Sequence, residues 1–345
     1  MSAMRISQSL RGKRVWLMLA GLMLIAGGCA SDRSVISQAT QTHEQLQSAI
    51  VTDPTLANYI QTVGNRIVAA GRELDRQHIG PDSHFKKGED SAWMFQDMKF
   101  YLVKSQTVNA FTTGGKYMYV YTALFDMCKT EDELAAVMSH EFAHVYCRHV
   151  QKGTNRQYEA MGLAAAAGVA GAAAGGKDNA LQYGGASAAA AFAGAQMFLT
   201  GFTSKDENEA DKYGFQIYSR AGWDPNRFGD FFQRLIDMGN DPKAGGDHPP
   251  LGERVKNAER RRDELPSQAK TWKKPNTASS DQFAEYTNKS KVYTAQAPKE
   301  KTAAQTLLAA FPSCVTVDDK PQQIQARRQI QATLQADQQQ QSGSK

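Results

Sequence analysis

Two histidines four residues apart, with a glutamate directly after the first, stand in the stretch "SHEFAHVYCRHV": His140, Glu141 and His144. On an α-helix, positions i and i+4 project from one face. Both imidazoles can therefore reach a single metal ion. Zinc takes imidazole nitrogen readily, and a zinc site that does chemistry keeps three protein ligands and leaves one position for water. Glu141, one residue round the helix, can reach that water instead of the metal. Zinc acidifies the water, and a carboxylate so placed accepts its proton as general base.

The pattern H-E-x-x-H is the zinc-peptidase arrangement, but ordinary residue frequencies produce it in about one chain in a hundred of this size. A third ligand is needed to give it weight. "DENEADKYG" offers Glu207 and Asp211, again four apart on one face. With Glu207 on the metal, Asp211 is placed to accept a hydrogen bond from a ligand histidine. Glu207 has a competing use, because Ser204 and Glu207 also carry the spacing of a helix capping box. Glu209 is a rival ligand whose helical phase sets it away from Asp211. His149, nine residues beyond His140, is expected on the opposite face as a surface histidine. Cys147 shares the face of His140 and His144 and reads as a buried thiol rather than a fourth ligand.

These residues need elements to hold them. "TEDELAAVMSHEFAHVYCRHV" reads as one helix, opened by a capping box of Thr130 and Glu133. "SKDENEADKYGFQIYSRAG" reads as a second, stopped near Gly222. Residues 33–80 read as helical, with Asp53 as N-cap and Pro54 at the first helical position. "WMFQDMKFYLVKS" and "KYMYVYTALF" are rich in aromatic and β-branched residues and read as strands, joined by "NAFTTGG". An exposed strand edge there could hold an extended peptide by main-chain hydrogen bonds, using Asn109, Ala110 and Phe111, with Gly114 and Gly115 permitting the turn. Asp224 and Pro225 open a further helix, and "DHPP" leads into another. The Ala/Gly-rich stretch from Ala160 to Gly201 is expected to form packed helices or a cover over the cleft rather than to enter a membrane. After about residue 265 the composition turns polar, which predicts a largely flexible tail with one short helix near "AAQTLLAAF".

The start of the chain has a basic region (Arg5, Arg11, Lys13, Arg14) and an apolar run from Val15 to about Gly28. That run is too short to span a bilayer and reads as a secretory signal. Small residues before Cys29 resemble a bacterial lipobox, which would make Cys29 the lipidated first residue of the mature chain. Ala30 and Ser31 after it favour the outer membrane. The leader's four basic and no acidic residues account for four of the formal +5, leaving +1. The mature chain thus has no broad electrostatic footprint for nucleic acid. Cys128 and Cys147 flank opposite ends of one predicted helix about 24 Å long. A disulfide needs Cα atoms within about 7 Å, so this pair is not expected to bridge; Cys314 could pair with either, or all three could be free.

"HEFAH" followed by "ENEAD", and preceded by "NAFTTGG" and a strand, resembles the HtpX-like gluzincin zinc metallopeptidases. Within them the chain is most similar to the periplasmic lipoprotein, LoiP/BepA-like branch, over roughly residues 50–262. The resemblance implies an α+β fold: a mainly helical zincin-like domain with a small β-sheet beside the active-site helix. It implies one Zn2+ per chain on His140, His144 and Glu207, with Glu141 as the base and Asp211 hydrogen-bonded behind a ligand. "DHPPLGER" matches a further family element. That implies a role for His248, either approaching the zinc in a resting state or steadying the oxyanion, with Arg254 orienting the loop or holding a carboxylate. The expected organisation is a signal peptide at 1–28, a linker or helix at 29–49, the peptidase domain at 50–264 and the tail at 265–345. The expected protein is an endopeptidase on the periplasmic face of the outer membrane, anchored at Cys29 or else soluble in the periplasm. Its expected partners are unfolded or misassembled envelope proteins. The alternative is a chaperone-like envelope lipoprotein with latent proteolysis.

Overall fold

The computed structural model describes residues 32–81, 91–156, 202–239, 249–267, 269, 272, 277–297 and 302–311. The leader, Cys29, the Ala/Gly-rich stretch, His248 and Cys314 lie outside them. The chain divides into two compact units. The first takes residues 1–31 and 151–194, of which a helical run at 151–156 is described. The second, residues 32–150 and 195–345, carries the fold that follows.

After α1 (Asp32–Leu46) comes α2 (Pro54–Arg76). Its start is fixed as the sequence predicts. Asp53 Oδ1 accepts from the main-chain N–H groups of Thr55 and Leu56 at 3.0 and 3.1 Å, and Pro54 lacks a donor just where a helix has no acceptor for one. A sheet follows: β1 (Lys99–Val103), β2 (Ala110–Thr112) and β3 (Tyr117–Tyr121), in the order β1-β3-β2. β3 is parallel to β1 and antiparallel to β2. The sequence predicts two strands and a connector, but Ala110–Thr112 of the connector is itself a strand. Being central and buried, β3 needs partners on both sides for its main-chain groups, and the returning segment supplies the second. Ala92–Phe95 form a 3-10 turn instead of extending β1.

α3 (Thr122–Met127) leads into α4 (Glu131–Tyr146), every residue of which is buried. Then come α5 (Ser204–Arg220), α6 (Asp230–Asp237), α7 (Leu251–Asp263), α8 (Ser280–Ala295) and α9 (Ala303–Ala310). α4 packs against α2, α5, α6, β2 and β3. The architecture is the expected α+β class, mainly helical, with the small sheet beside the helix that carries His140.

A helix buried all round has no polar face to set its rotation. The first turn of α4 does this instead. Glu131, 3% exposed, accepts four hydrogen bonds: from Tyr59 Oη at 3.0 Å, Arg66 Nη1 at 2.7 Å, Trp223 Nε1 at 3.0 Å and the Ala278 N–H at 2.8 Å. Asp132 accepts from Tyr218 Oη and the Asp224 N–H, both at 3.1 Å. Glu133 pairs with Arg234 and accepts the Lys129 N–H at 2.8 Å, while Thr130 Oγ1 caps the Glu133 N–H at 3.4 Å. A buried carboxylate is tolerated only when its lone pairs are filled in this way, and negative charge suits a helix N-terminus. Cys128 and Cys147 are buried, unbridged thiols, and burial raises the Cys128 thiol well above its ordinary range.

The segment beyond 265 builds more structure than its polar composition predicts. α8 buries Phe283 in the core, stacks Tyr286 on Tyr59 at 4.1 Å, and donates from Thr294 to Asp126 at 2.5 Å. Phe311, at the end of α9, stacks on Phe111 at 3.7 Å, and Tyr121 Oη donates to the Leu308 carbonyl at 2.6 Å. A helix that docks by one narrow stripe needs few apolar residues, so an averaged composition hides it. Phe283→Ala is expected to destabilise the fold by about 3–5 kcal/mol in chemical denaturation. Unchanged stability would mean that α8 is not part of the cooperative unit.

Candidate metal centre

His140 and His144 lie one turn apart on α4, with their rings edge-on at 4.8 Å between centroids. Their Nε2 atoms face each other at 3.1 Å. Glu207, in the first turn of α5, brings Oε2 to 3.3 Å from His140 Nε2 and Oε1 to 3.7 Å from His144 Nε2. All three side chains are at most 1% exposed. Ligands set tetrahedrally around zinc at about 2.0–2.1 Å stand about 3.3 Å from one another. The two Nε2 atoms and the two Glu207 oxygens facing them, at 3.1, 3.3 and 3.7 Å, come close to that spacing, so the residues fit the metal. Among the described residues this trio is one of two groups whose ligand atoms converge closely enough to hold an ion. Glu141 is wholly buried in the same turn of α4.

The sequence leaves Glu207 two possible roles. The structure places the capping box one residue earlier than Ser204 and Glu207. Thr203 is the N-cap, and Asp206 returns the bond through Oδ2, 3.0 Å from the Thr203 N–H. Glu207 is thereby left to face the histidines.

Behind the trio, His140 Nδ1 is 2.9 Å from Asp211 Oδ1. Arg254, in the first turn of α7 and 2% exposed, holds Asp211 with two bonds, Nε to Oδ2 at 2.9 Å and Nη2 to Oδ1 at 2.7 Å. The guanidinium also lies over the Phe232 ring at 3.9 Å. Burial alone would raise the Asp211 carboxyl, but Arg254 and His140 outweigh it and hold the group at about 2. Burial and the Arg254 charge push His140 down, yet hydrogen bonds to Asp211 and Glu207 win and leave it at about 9. His144 is driven well below the ordinary imidazole range by burial, which Glu207 only partly offsets. A metal ion at His140 must therefore compete with a proton for Nε2.

The helix–helix distance depends on Gly214 of α5. A Cβ there would lie 3.0 Å from the Cα and 3.1 Å from the N of His140, and 3.2 Å from the Ser139 carbonyl. These are backbone atoms and cannot step aside like a flexible side chain.

Residues 89–262, half of the chain, match peptidase family M48. The chain belongs to peptidase family M48. The beta-barrel assembly-enhancing protease of Yersinia pestis is 30% identical over 220 residues, 63% of this chain and 41% of that protein. Its namesake in Escherichia coli K12 is 28% identical over 192 residues, 55% of this chain and 34% of that protein. The metalloprotease LoiP of Escherichia coli K12 is 27% identical over 227 residues, 65% of this chain and 79% of that protein. The chain thus spans well under half the length of the first two relatives. Its place is in the branch of M48 that these proteases represent.

The M48 match takes in the sheet and α3 to α7, and so every ligand candidate described above. Two expectations for it need correction. His149 is not a surface histidine on the opposite face. It is fully buried, with Nδ1 2.9 Å from His144 Nδ1 and Nε2 2.8 Å from Glu209 Oε2. α4 ends at Tyr146, and Arg148 takes a left-handed φ of 55°, so helical phase cannot be carried across to His149. Glu209, the rival ligand, is turned to His149 instead. The second correction concerns the strand edge at Asn109, Ala110 and Phe111. All three residues are buried, and Phe111 lies beneath Phe311. A peptide could pair with β2 only after its cover moved. Gly114, at φ 67°, sits where a side chain would collide with Val150, and Gly115 where one would meet Ala39, so close packing requires both glycines. Phe202, which sequence reasoning missed, stacks on His144 at 3.8 Å; nothing in its local pattern marks it.

Gly→Ala in a helix interior ordinarily stabilises by about 1 kcal/mol. Gly214→Ala is expected to reverse that sign, losing about 1–2 kcal/mol by overpacking, and to weaken zinc binding. A gain in melting temperature with unchanged zinc affinity would show that the helices are not held at contact distance here.

Proposed function

We propose that this chain is a zinc-dependent endopeptidase of the bacterial cell envelope. The observation that carries the reading is the convergence of His140 Nε2, His144 Nε2 and the Glu207 carboxylate at metal-ligand spacing, with Glu141 buried in the same turn. Zinc bound there would supply Lewis acidity to a water and to the scissile carbonyl. The chain's own residues supply the rest. Glu141 takes the proton from the attacking water and passes it to the departing amine. Asp211 and Arg254 keep His140 turned so that Nε2, not Nδ1, meets the metal. Burial of the whole cluster excludes competing water, which strengthens each of these interactions.

The substrates in this reading are unfolded or misassembled envelope proteins, and their support is the names of the relatives, which describe barrel assembly and metalloproteolysis. Attachment through a lipid on Cys29 completes the proposal. Among the described residues no helix is long and apolar enough to cross a membrane.

The test compares wild type with Glu141→Gln, both expressed without residues 1–28. One zinc is expected in each, with cleavage of an unfolded protein by wild type only, a rate difference of at least about 100-fold that a chelator abolishes. Zinc in both and cleavage by neither would favour a chaperone-like protein with a latent centre. Absence of zinc from both would overturn the metal assignment.

A further inference from the structure

The hydrogen bonds around His144 run past the metal centre. His144 Nδ1 meets His149 Nδ1 at 2.9 Å, and His149 Nε2 meets Glu209 Oε2 at 2.8 Å. The two rings are edge-on, 5.0 Å apart, and neither is exposed. If His144 gives Nε2 to a metal, its proton must sit on Nδ1, which then donates. His149 Nδ1 must accept, so its own proton sits on Nε2 and is donated to Glu209. The opposite direction would place a proton on His144 Nε2 and block the ligand atom. One arrangement of protons therefore satisfies every atom in the chain, with both histidines neutral.

We propose that His149 and Glu209 form a positioning relay that fixes the tautomer and the ring orientation of His144. Each ligand histidine then ends on a carboxylate: His140 directly on Asp211, and His144 through a second imidazole on Glu209. Phe202, stacked at 3.8 Å and 18°, closes the face of the His144 ring. The backbone shows what the relay costs. A left-handed non-glycine residue is disfavoured because its Cβ crowds the following carbonyl oxygen, and Arg148 adopts that conformation immediately before His149. Its side chain is tied to Asp32 at 3.0 and 3.3 Å, which holds the break in place. An uninterrupted helix would carry His149 away from His144.

A rival use of the same residues is a second metal, because ligand atoms of Cys147, His149 and Glu209 lie within 4.8 Å of one another. In the relay both nitrogens of His149 are engaged, which leaves neither for an ion, so the two uses are mutually exclusive. It also rests on the zinc assignment to His140, His144 and Glu207, so the experiment reads zinc directly.

Full-length wild type, His149→Leu, Glu209→Ala and Glu209→Gln are compared for zinc stoichiometry, for zinc affinity in chelator competition, and for thermal unfolding of the metal-free protein. Wild type is expected to bind one zinc. His149→Leu should still bind one, about 10–100-fold more weakly. Glu209→Ala should shift in the same direction, and Glu209→Gln, whose amide oxygen still accepts from Nε2–H, should recover most of the loss. If His149→Leu does not fold, the Glu209 pair carries the test, since that side chain is 27% exposed. Wild-type affinity in Glu209→Ala and in folded His149→Leu would overturn the relay and leave the zinc centre standing. Two zinc ions in wild type, with one lost in His149→Leu, would overturn it in favour of the second metal. No zinc in wild type would remove the relay together with the centre it serves.

Discussion

Two backbones meet where Gly214 of α5 crosses His140 of α4, and the site depends on that contact. With no side chain at 214, the helices approach until a Cβ would stand 3.0 Å from the His140 Cα. On α5, residues 207, 211 and 214 follow the i, i+4, i+7 spacing and share one face. Once Gly214 fixes the crossing, Asp211 arrives behind the His140 ring and Glu207 arrives before both Nε2 atoms. Chemistry that needs atoms placed to a few tenths of an ångström is thus set by a contact between main chains, the least adjustable part of the fold.

The far end of α4 is held by charge. Glu131, Asp132 and Glu133 are all buried, and each reaches a different part of the molecule. Glu131 binds α2 through Tyr59 and Arg66 and the segment before α8 through the Ala278 N–H, while Glu133 binds α6 through Arg234. Removing one partner from such a group leaves a buried charge uncompensated, so the turn is intolerant of substitution. One end of the helix is locked by carboxylates and its middle by a glycine, and the histidines lie at and beyond that second lock.

Environment separates two chemically identical candidate ligands. His140 has Asp211 and Glu207 at hand and is held protonated more readily than a free imidazole, whereas burial dominates at His144 and favours its neutral form. The bonds from Arg254 and Asp211 run from α7 through α5 to α4, so α7 bears directly on the His140 ring.

The sequence by itself determined whatever is local and periodic. His140 and His144 share a face, and so do Glu207 and Asp211, because four residues return a helix to the same side. The caps at Asp53 and Thr130 were readable for the same reason: each is settled within a few residues. Tertiary structure decided the rest. Spacing offered Ser204–Glu207 as a capping box, but the folded chain forms it one residue earlier, at Thr203–Asp206, and leaves Glu207 facing the histidines. Phase predicted His149 on the wrong side because a single left-handed residue, Arg148, resets it. The strand at Ala110–Thr112 exists because β3 lies beside it, and α8 docks because Tyr59 and Phe125 offer a surface to Phe283. Each of these depends on a partner distant in the chain. A local pattern carries no information about where such a partner will lie, since that position is fixed only when the helices and the sheet pack together.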